Sequence, residues 1–182
     1  SYNEIPVVDD VCYHGYFQSE KYFQGVDISQ EFIINNDNLN IIKYKYNELF
    51  NKKNISLHYR LAGDRVNDYM QHYHRDVSLE YYQKALSMVT DYSQSEYNIL
   101  VFSDNIEKAK LKLSNLNYDF IYINNGNILD FIFMTQCNVN IVGNSTFSWW
   151  SAYMNNTPNK KVIVTESEWF GPGYKHWTLK DA

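Results

Sequence analysis

The stretch HYRLAGDR, residues 58–65, places one histidine, two arginines and one aspartate close together. It overlaps the end of NISLHYR, residues 54–60, which reads as a short strand. The guanidinium of Arg60 is a planar set of donors that can hold two phosphate oxygens at once. Arg60 is therefore a candidate for binding an anionic ligand. The alternative is a salt bridge from Arg60 to Asp64 that only ties down a loop.

A second candidate is GNSTFSWW, residues 143–150, where an apolar strand pattern turns into a helix pattern with Asn144 or Ser145 as the cap. The free N–H groups and the dipole of a helix N-terminus attract phosphate. The hydroxyls of Ser145 and Thr146 add further donors. The alternative for both hydroxyls is ordinary helix capping.

A third candidate is the pair Asp104-Asn105, which follows the apolar run YNILVFS, residues 97–103. In a nucleotide site, a carboxylate or an amide at this position can form hydrogen bonds with ring nitrogens of the base. The alternative is N-capping of the helix that follows.

The elements that must position these residues alternate regularly from residue 54 onward. Strands are predicted over 54–60, 97–103, 119–123, 139–143 and 160–165, and helices over 78–92, 104–116, 127–137 and 145–155. Such alternation is typical of an α/β, doubly wound parallel sheet with right-handed crossovers. Ligands bind these sheets outside the carboxyl ends of the strands, where the strand order reverses. We therefore expect the polar residues after the strands to share one rim.

Composition excludes several function classes. The 182 residues carry a net charge of −5, which argues against a nucleic-acid partner. No apolar run approaches the roughly 18 residues that suggest a membrane span. GxGxxG and GxxxxGK[ST] patterns are missing, which disfavours a dinucleotide site or a P-loop. Asp-x-Asp, which often holds a cation on a sugar-nucleotide diphosphate, is missing too, so no metal is expected. The two cysteines are expected to be buried or free thiols.

The N-terminal part follows a different pattern. Residues 28–50 show helical spacing in two parts, and the Asn-rich stretch over residues 35–40 is predicted to separate them. Residues 1–53 are too few to form a second sheet of the same kind, and we interpret them as a helical connecting segment.

Five strings occur in an order and spacing that resemble the α1,2-fucosyltransferase family, over residues 14–172. They are HGYFQSEKYF, ISLHYRLAGDR, ILVFSDNIEKAK, NSTFSWWSAYMN and WFGP. The resemblance implies a glycosyltransferase of the GT-B type with two Rossmann-like domains. It implies transfer of fucose from GDP-fucose to the 2-hydroxyl of a galactoside, with inversion and without a metal or other cofactor.

The resemblance also implies roles for individual residues. Arg60 contacts the β-phosphate and stabilises the departing GDP, so it is the predicted catalytic residue, and His58 lies near the nucleotide. The resemblance implies further contacts to the diphosphate from Ser145, Thr146 and Phe147 and to guanosine from Asp104 and Asn105, and Asn144 is a further residue predicted to bind GDP-fucose.

The string around Arg60 departs from the family pattern, His-x-Arg-Arg-Gly-Asp. It is one residue longer, and Leu61 stands where the family has a second arginine. We hypothesise that Arg65 supplies the missing charge, and Asp64 is predicted to contact the donor. Candidates for the general base are left open among Asp64, Asp68, His72 and His74.

On this reading, residues 54–182 form a nucleotide-sugar-binding, Rossmann-like domain, the C-terminal donor-binding half of the enzyme. Residues 1–53 are then a remnant of, or a link to, an absent acceptor-side domain. The expected partners are GDP-fucose and a glycan acceptor. Two other readings stay open: a domain that uses another nucleotide sugar, and a module that binds nucleotide sugars or glycans without catalysis. A cytoplasmic location is favoured, with the secretory-pathway lumen as the alternative if a membrane anchor lies outside this sequence.

Overall fold

A computed structural model of the protein describes residues 4–14, 20–26, 33–61, 68–74, 76–90, 96–165 and 169. The strands in this part of the chain are β1 (Lys53–Tyr59), β2 (Tyr97–Ser103), β3 (Phe120–Ile123), β4 (Val139–Val142) and β5 (Lys161–Val164). All neighbouring strands run parallel, in the order β3-β2-β1-β4-β5. The predicted α/β class with a doubly wound parallel sheet is confirmed.

The strand order locates the point where the sheet reverses its direction of winding. The chain starts at β1 in the middle and moves outward to β2 and β3. It then returns to the other side of β1, adding β4 and finally β5. The reversal therefore lies between β1 and β4, and the crevice at their carboxyl ends is the expected ligand site of such a sheet.

The described α-helices are α1 (Asn36–Lys45), α2 (Asp68–Tyr73), α3 (Leu79–Thr90), α4 (Ile106–Leu113), α5 (Asn127–Met134) and α6 (Thr146–Tyr153). Short 3-10 helices lie at Glu20–Phe23 and Asn47–Asn51. The four helices predicted between strands are confirmed as α3 to α6, and α4, α5 and α6 are each a few residues shorter than predicted. No helix was predicted at α2, which is too short to show a full apolar period.

Side chains alternate between the two faces of the sheet, and this alternation sorts the residues of β1. Leu57 and Tyr59 belong to a buried cluster with residues of α3 and α4. The intervening residues, Ser56 and His58, are directed to the opposite face. That face carries the second buried cluster, which includes residues of α5. His58 is therefore directed to the face that α5 and α6 cover.

The predicted break in the Asn-rich stretch is wrong. Asn35 is the N-cap of α1, and its side chain accepts a hydrogen bond of 2.7 Å from the backbone N–H of Asp37. Asparagine is a favourable capping residue, so residues 36–40 begin a helix, while most of the first predicted helical part lies outside the described residues. Ile42 of α1 is fully buried beside Phe102 and Phe133, so tertiary packing stabilises the helix.

The helix α1 therefore packs on the same core as the strands that follow it. Tyr46, Leu49 and Phe50 add to this packing as partly buried residues. The division into residues 1–53 and residues 54–182 stays a prediction, as does the link from the first segment to an acceptor-side domain.

A buried amide network fixes β1 and β4 relative to each other. The side-chain amide of Asn140 in β4 donates to the hydroxyl of Ser56 in β1 and to the backbone oxygen of Met134, both at 2.8 Å. Its oxygen accepts a hydrogen bond of 2.7 Å from Asn155. Because all these groups are buried and paired, the network holds the two strands that flank the crevice in one register.

Two further expectations bear on the described residues. Cys12 is exposed and Cys137 is buried, and both are free thiols, as predicted. Burial raises the pKa of the Cys137 thiol. Among the described helices, none combines the length and the apolar character needed to cross a membrane.

Candidate functional site

The crevice is closed at its base by a tight contact between β1 and the turn after β4. A Cβ atom added to Gly143 would lie 2.7 Å from the backbone oxygen of His58 and 3.1 Å from the hydroxyl oxygen of Tyr82. The first distance is too short for a real side chain, and backbone atoms cannot turn away. Gly143 therefore lets the start of α6 lie directly against the carboxyl end of β1.

His58 contacts the first turn of α6. Its ring centroid lies 5.6 Å from that of Phe147, and its backbone oxygen accepts a hydrogen bond of 2.8 Å from the Tyr82 hydroxyl. The residue is 5% exposed. The structure thus brings together two of the predicted donor-site residues, one from each side of the crevice.

Arg60 follows the end of β1 and pairs with Asp104, which follows the end of β2. Nε of Arg60 lies 3.1 Å from one carboxylate oxygen of Asp104, and the other oxygen accepts the backbone N–H of Leu61 at 2.8 Å. The Arg60 side chain remains 36% exposed. An ion pair this exposed adds little to stability. Its consequence is positional, because it fixes a solvent-reachable guanidinium at the rim of the crevice.

Lys108 also contacts the segment Arg60–Leu61, and this contact was not predicted from the sequence. Its ammonium group donates a hydrogen bond of 3.2 Å to the backbone oxygen of Leu61 and lies 3.9 Å from a carboxylate oxygen of Asp76. Lys108 follows Asp104 by one helical turn, and this spacing is the signal that could have found it. Asp104, which precedes the N-cap of α4, and Lys108, in the first turn of α4, therefore both hold the segment Arg60–Leu61.

Asn105 is the N-cap of α4. Its side-chain oxygen accepts the backbone N–H of Lys108 at 3.0 Å. The Ser103 hydroxyl accepts the N–H of Asn105 at 3.1 Å and donates to the backbone oxygen of Tyr59 at 2.6 Å. The capping alternative is thus observed for Asn105. The guanosine contact predicted for Asp104 and Asn105 stays a prediction.

The start of α6 differs from the start of α4. Ser145 is the N-cap of α6 with extended backbone angles, yet its side chain makes no capping hydrogen bond. Asn144 is buried beside it, whereas Thr146 is exposed. The hydroxyl of Ser145 and the amino end of α6 therefore lie at the same rim as Arg60, because β1 and β4 are adjacent and parallel. Asp64 and Arg65 lie outside the described residues.

Asp130 is a buried acid at this rim that sequence reasoning also missed. One of its oxygens accepts hydrogen bonds from the backbone and side-chain N–H groups of Asn125, both at 3.0 Å. Burial raises the pKa of Asp130, and the hydrogen bonds from Asn125 oppose this rise. The Asn125 side-chain oxygen in turn accepts from Lys45 at 2.6 Å and from the Tyr46 hydroxyl at 2.8 Å. This network ties α1 to the turn before α5.

The sequence signal for Asp130 was its place within an apolar helix pattern, NILDFIFM. An acid in such a pattern must find partners inside the fold. Across the described ranges, no three His, Cys, Asp or Glu side chains come together as a group that could hold a metal ion.

These features define a class of protein. A doubly wound parallel sheet has its reversal point between β1 and β4, and that point carries an arginine and the amino end of a helix. This is the arrangement that binds the phosphates of nucleotides.

Comparison with known proteins agrees with a protein that binds nucleotide phosphates, and it identifies the family. The chain matches glycosyl transferase family 11 over residues 2–171, and it belongs to this family. The resemblance to α1,2-fucosyltransferases drawn from the sequence motifs is thereby confirmed at the level of the family. Membership also agrees with the predicted GT-B type.

Two curated relatives come from Escherichia coli. The O-antigen biosynthesis glycosyltransferase WbnK is 30% identical over 189 residues, covering 98% of this chain and 62% of the relative. An alpha-1,2-colitosyltransferase is 27% identical over 165 residues, covering 86% of this chain and 55% of the relative. The chain thus spans somewhat more than half the length of these relatives. No solved structure matches the chain.

Proposed function

We propose that this chain is the donor-binding half of a glycosyltransferase that moves L-fucose from GDP-fucose to the 2-hydroxyl of a galactoside, with inversion. The observation that carries the proposal is that Arg60 and the amino end of α6 follow two adjacent parallel strands, β1 and β4, at the reversal point of the sheet. Family membership supports the reaction class. The name of one relative supports the linkage, since it too denotes an α1,2-transferase.

The proposed chemistry places most of the new charge on the leaving group. The acceptor hydroxyl attacks the anomeric carbon while the bond from that carbon to the diphosphate oxygen breaks, and the hydroxyl proton passes to a base. Negative charge develops on GDP as it leaves. Arg60 and the N–H groups at the start of α6 stabilise this charge because they are positioned before the reaction begins.

We assign the other residues to supporting roles in the same site. Asp104 is a positioning residue, since it holds Nε of Arg60 and the backbone of Leu61 together. Ser145 and Thr146 supply hydroxyl donors to the diphosphate, and Asn144 shapes the turn before them. His58 and Phe147 form the wall of the crevice on the α6 side.

We expect the reaction to proceed without a divalent cation, because a guanidinium and a helix N-terminus can offset diphosphate charge. Transfer from GDP-fucose to lactose in excess EDTA is expected to match transfer in magnesium within about twofold. A strict requirement for magnesium would contradict this part of the proposal.

A second donor is favoured by a specific observation, the relative named alpha-1,2-colitosyltransferase. The same site then binds a nucleotide colitose in place of GDP-fucose. Transfer assays with both donors separate the two possibilities, because the cognate donor should have the higher kcat/KM. Donor binding without turnover of either donor, when the acceptor-side domain is also present, would instead indicate a non-catalytic binding module.

The experiment that tests the proposal is calorimetric titration of the chain with GDP-fucose, GDP, UDP and ADP. GDP-fucose and GDP are expected to bind, and UDP and ADP to bind at least tenfold more weakly. Equal affinity for all three nucleoside diphosphates would contradict the guanine assignment. A lack of binding by all four ligands would contradict the proposal as a whole.

A further inference from the structure

A cavity of about 310 Å³ lies on the α6 side of the crevice, between α1, α5 and α6. Its lining combines apolar side chains with three amides: Ile128, Phe131, Phe147, Asn35, Asn38 and Asn127. No described residue that lines it carries a charge. The cavity is therefore unsuited to phosphate and suited to a neutral group with an apolar surface and a polar edge.

One aromatic ring connects the cavity to the crevice. The Phe147 ring lies 5.6 Å from the ring of His58 on the crevice side and 5.5 Å from the ring of Phe131 on the cavity side. Phe147 also lies in the first turn of α6, whose amino end faces the proposed diphosphate. The cavity therefore adjoins the helix start that is proposed to face the diphosphate.

The walls of the cavity are held by a network that the proposed chemistry does not use. Asp130 of α5 fixes Asn125, and Asn125 binds Lys45 and Tyr46 at the end of α1. Phe133 of α5 packs against Tyr46 with ring centroids 5.0 Å apart. These contacts join the C-terminal end of α1 to α5 and the turn before it, while Asn35 and Asn38 line the cavity at the N-terminal end of α1.

We infer that this cavity receives the base of the nucleotide donor, with the adjoining rings of Phe131 and Phe147 on one side of the base and the amides of Asn38 and Asn127 contacting its edge. The inference rests on the proposed function. It is supported by size, since pockets for small ligands start at about 300 Å³. It is supported by chemistry, since bases stack on aromatic rings and amides offer both donors and acceptors. The side chains of Asp104 and Asn105, by contrast, already serve Arg60, Leu61 and the cap of α4.

The test separates base binding from phosphate binding by titrating each variant with GDP and with inorganic pyrophosphate. Ile128→Trp fills the rim of the cavity at a position that is 69% exposed, so the fold should tolerate it. We expect this variant to bind GDP about tenfold more weakly or worse, and pyrophosphate within twofold of the wild type. Arg60→Ala should weaken the binding of both GDP and pyrophosphate.

A second variant and a matched control guard against indirect effects. Asn127→Ala removes one amide at an exposed position. We expect this variant to bind GDP several-fold more weakly, with an unchanged melting temperature. Leu111→Trp places the same large ring on α4, where the residue is 75% exposed and lies outside the cavity lining. This control should bind both ligands like the wild type.

The outcomes distinguish the inference from the proposal beneath it. Wild-type GDP affinity in both Ile128→Trp and Asn127→Ala would overturn the base assignment and leave the diphosphate site standing. Equal loss of GDP and pyrophosphate in these two variants would also overturn it, because the cavity would then act on the phosphates. A wild-type chain that binds neither ligand would overturn the proposed function and the inference together.

Discussion

The turn between β2 and α4 and the turn between β4 and α6 both follow a parallel strand and begin a helix, but they use their polar side chains differently. In the first turn, the Asn105 side chain caps α4, and Asp104 holds Arg60 and Leu61. In the second turn, the Ser145 side chain makes no capping hydrogen bond.

This difference indicates which helix end is prepared for a ligand. The first N–H groups of a helix have no partners within the helix, and a capping side chain satisfies one of them. At α4 the cap is supplied by the chain itself. At α6 a phosphate can take the place of the missing cap. The first turn therefore positions Arg60, and the second turn offers the complementary donors.

The largest expected effect comes from removing the guanidinium that the first turn positions. Arg60→Ala should lower kcat for transfer by about 10²–10³, the typical loss when one stabilising donor is removed. Arg60→Lys keeps the charge without the planar pair of donors and should fall between the alanine variant and the wild type. Steady-state kinetics with GDP-fucose and lactose measure both. Activity of Arg60→Ala within a few-fold of the wild type would contradict the catalytic assignment.

A large effect on stability is expected where the second turn meets β1. Gly143→Ala introduces a Cβ atom 2.7 Å from the backbone oxygen of His58, so the strand end and the turn must move apart. Overpacking of this kind typically costs about 1–3 kcal/mol. Denaturant unfolding of the variant is expected to show that loss. An unchanged free energy of unfolding would mean that the contact is looser than the structure indicates.

A smaller effect is expected from Asp104, the residue of the first turn that holds Arg60. Asp104→Asn keeps the shape of the side chain but loses the charge that holds Nε of Arg60. We expect kcat to fall about tenfold, less than the roughly 10² that full misplacement of a catalytic group can cost. KM should change much less than kcat. A change confined to the melting temperature would assign Asp104 a structural role only.

The smallest effects are expected from the two N-cap residues, Asn105 and Ser145. One substitution should affect stability and the other should affect ligand binding. Asn105→Ala removes an observed cap and should lower the free energy of unfolding by about 1 kcal/mol. Ser145→Ala removes no cap and should leave stability unchanged, while weakening GDP binding several-fold. Paired unfolding and titration experiments on both variants check this. Weaker GDP binding by Asn105→Ala would favour the guanosine contact predicted from the sequence.

Much of the fold follows from short-range patterns. Short runs rich in apolar residues predicted all five strands, and because parallel strands place their carboxyl ends on one edge, the sequence also predicted a shared rim for Arg60 and Ser145. The strand order depends on tertiary packing, so the reversal between β1 and β4 became visible only in the structure. The Asn-rich stretch was misread because asparagine is both a poor helix interior residue and a good cap.

Side-chain partners were harder to predict. The sequence suggests a salt bridge from Arg60 to Asp64, which lies outside the described residues, whereas the described partner Asp104 follows the neighbouring strand β2. The role of Asp130 could not be predicted from the sequence. Asp130 accepts a hydrogen bond from Asn125, and Asn125 accepts one from Lys45, which the packing of α1 on α5 brings near. Contacts of this kind depend on the register of separate elements, which a single sequence does not state.

The measurement that tests the central claim most directly is a crystal structure of the chain with GDP bound. We predict that oxygens of one diphosphate lie about 3 Å both from the guanidinium of Arg60 and from backbone N–H groups at the start of α6. A diphosphate bound elsewhere on the sheet, or held by only one of these two groups, would contradict the account.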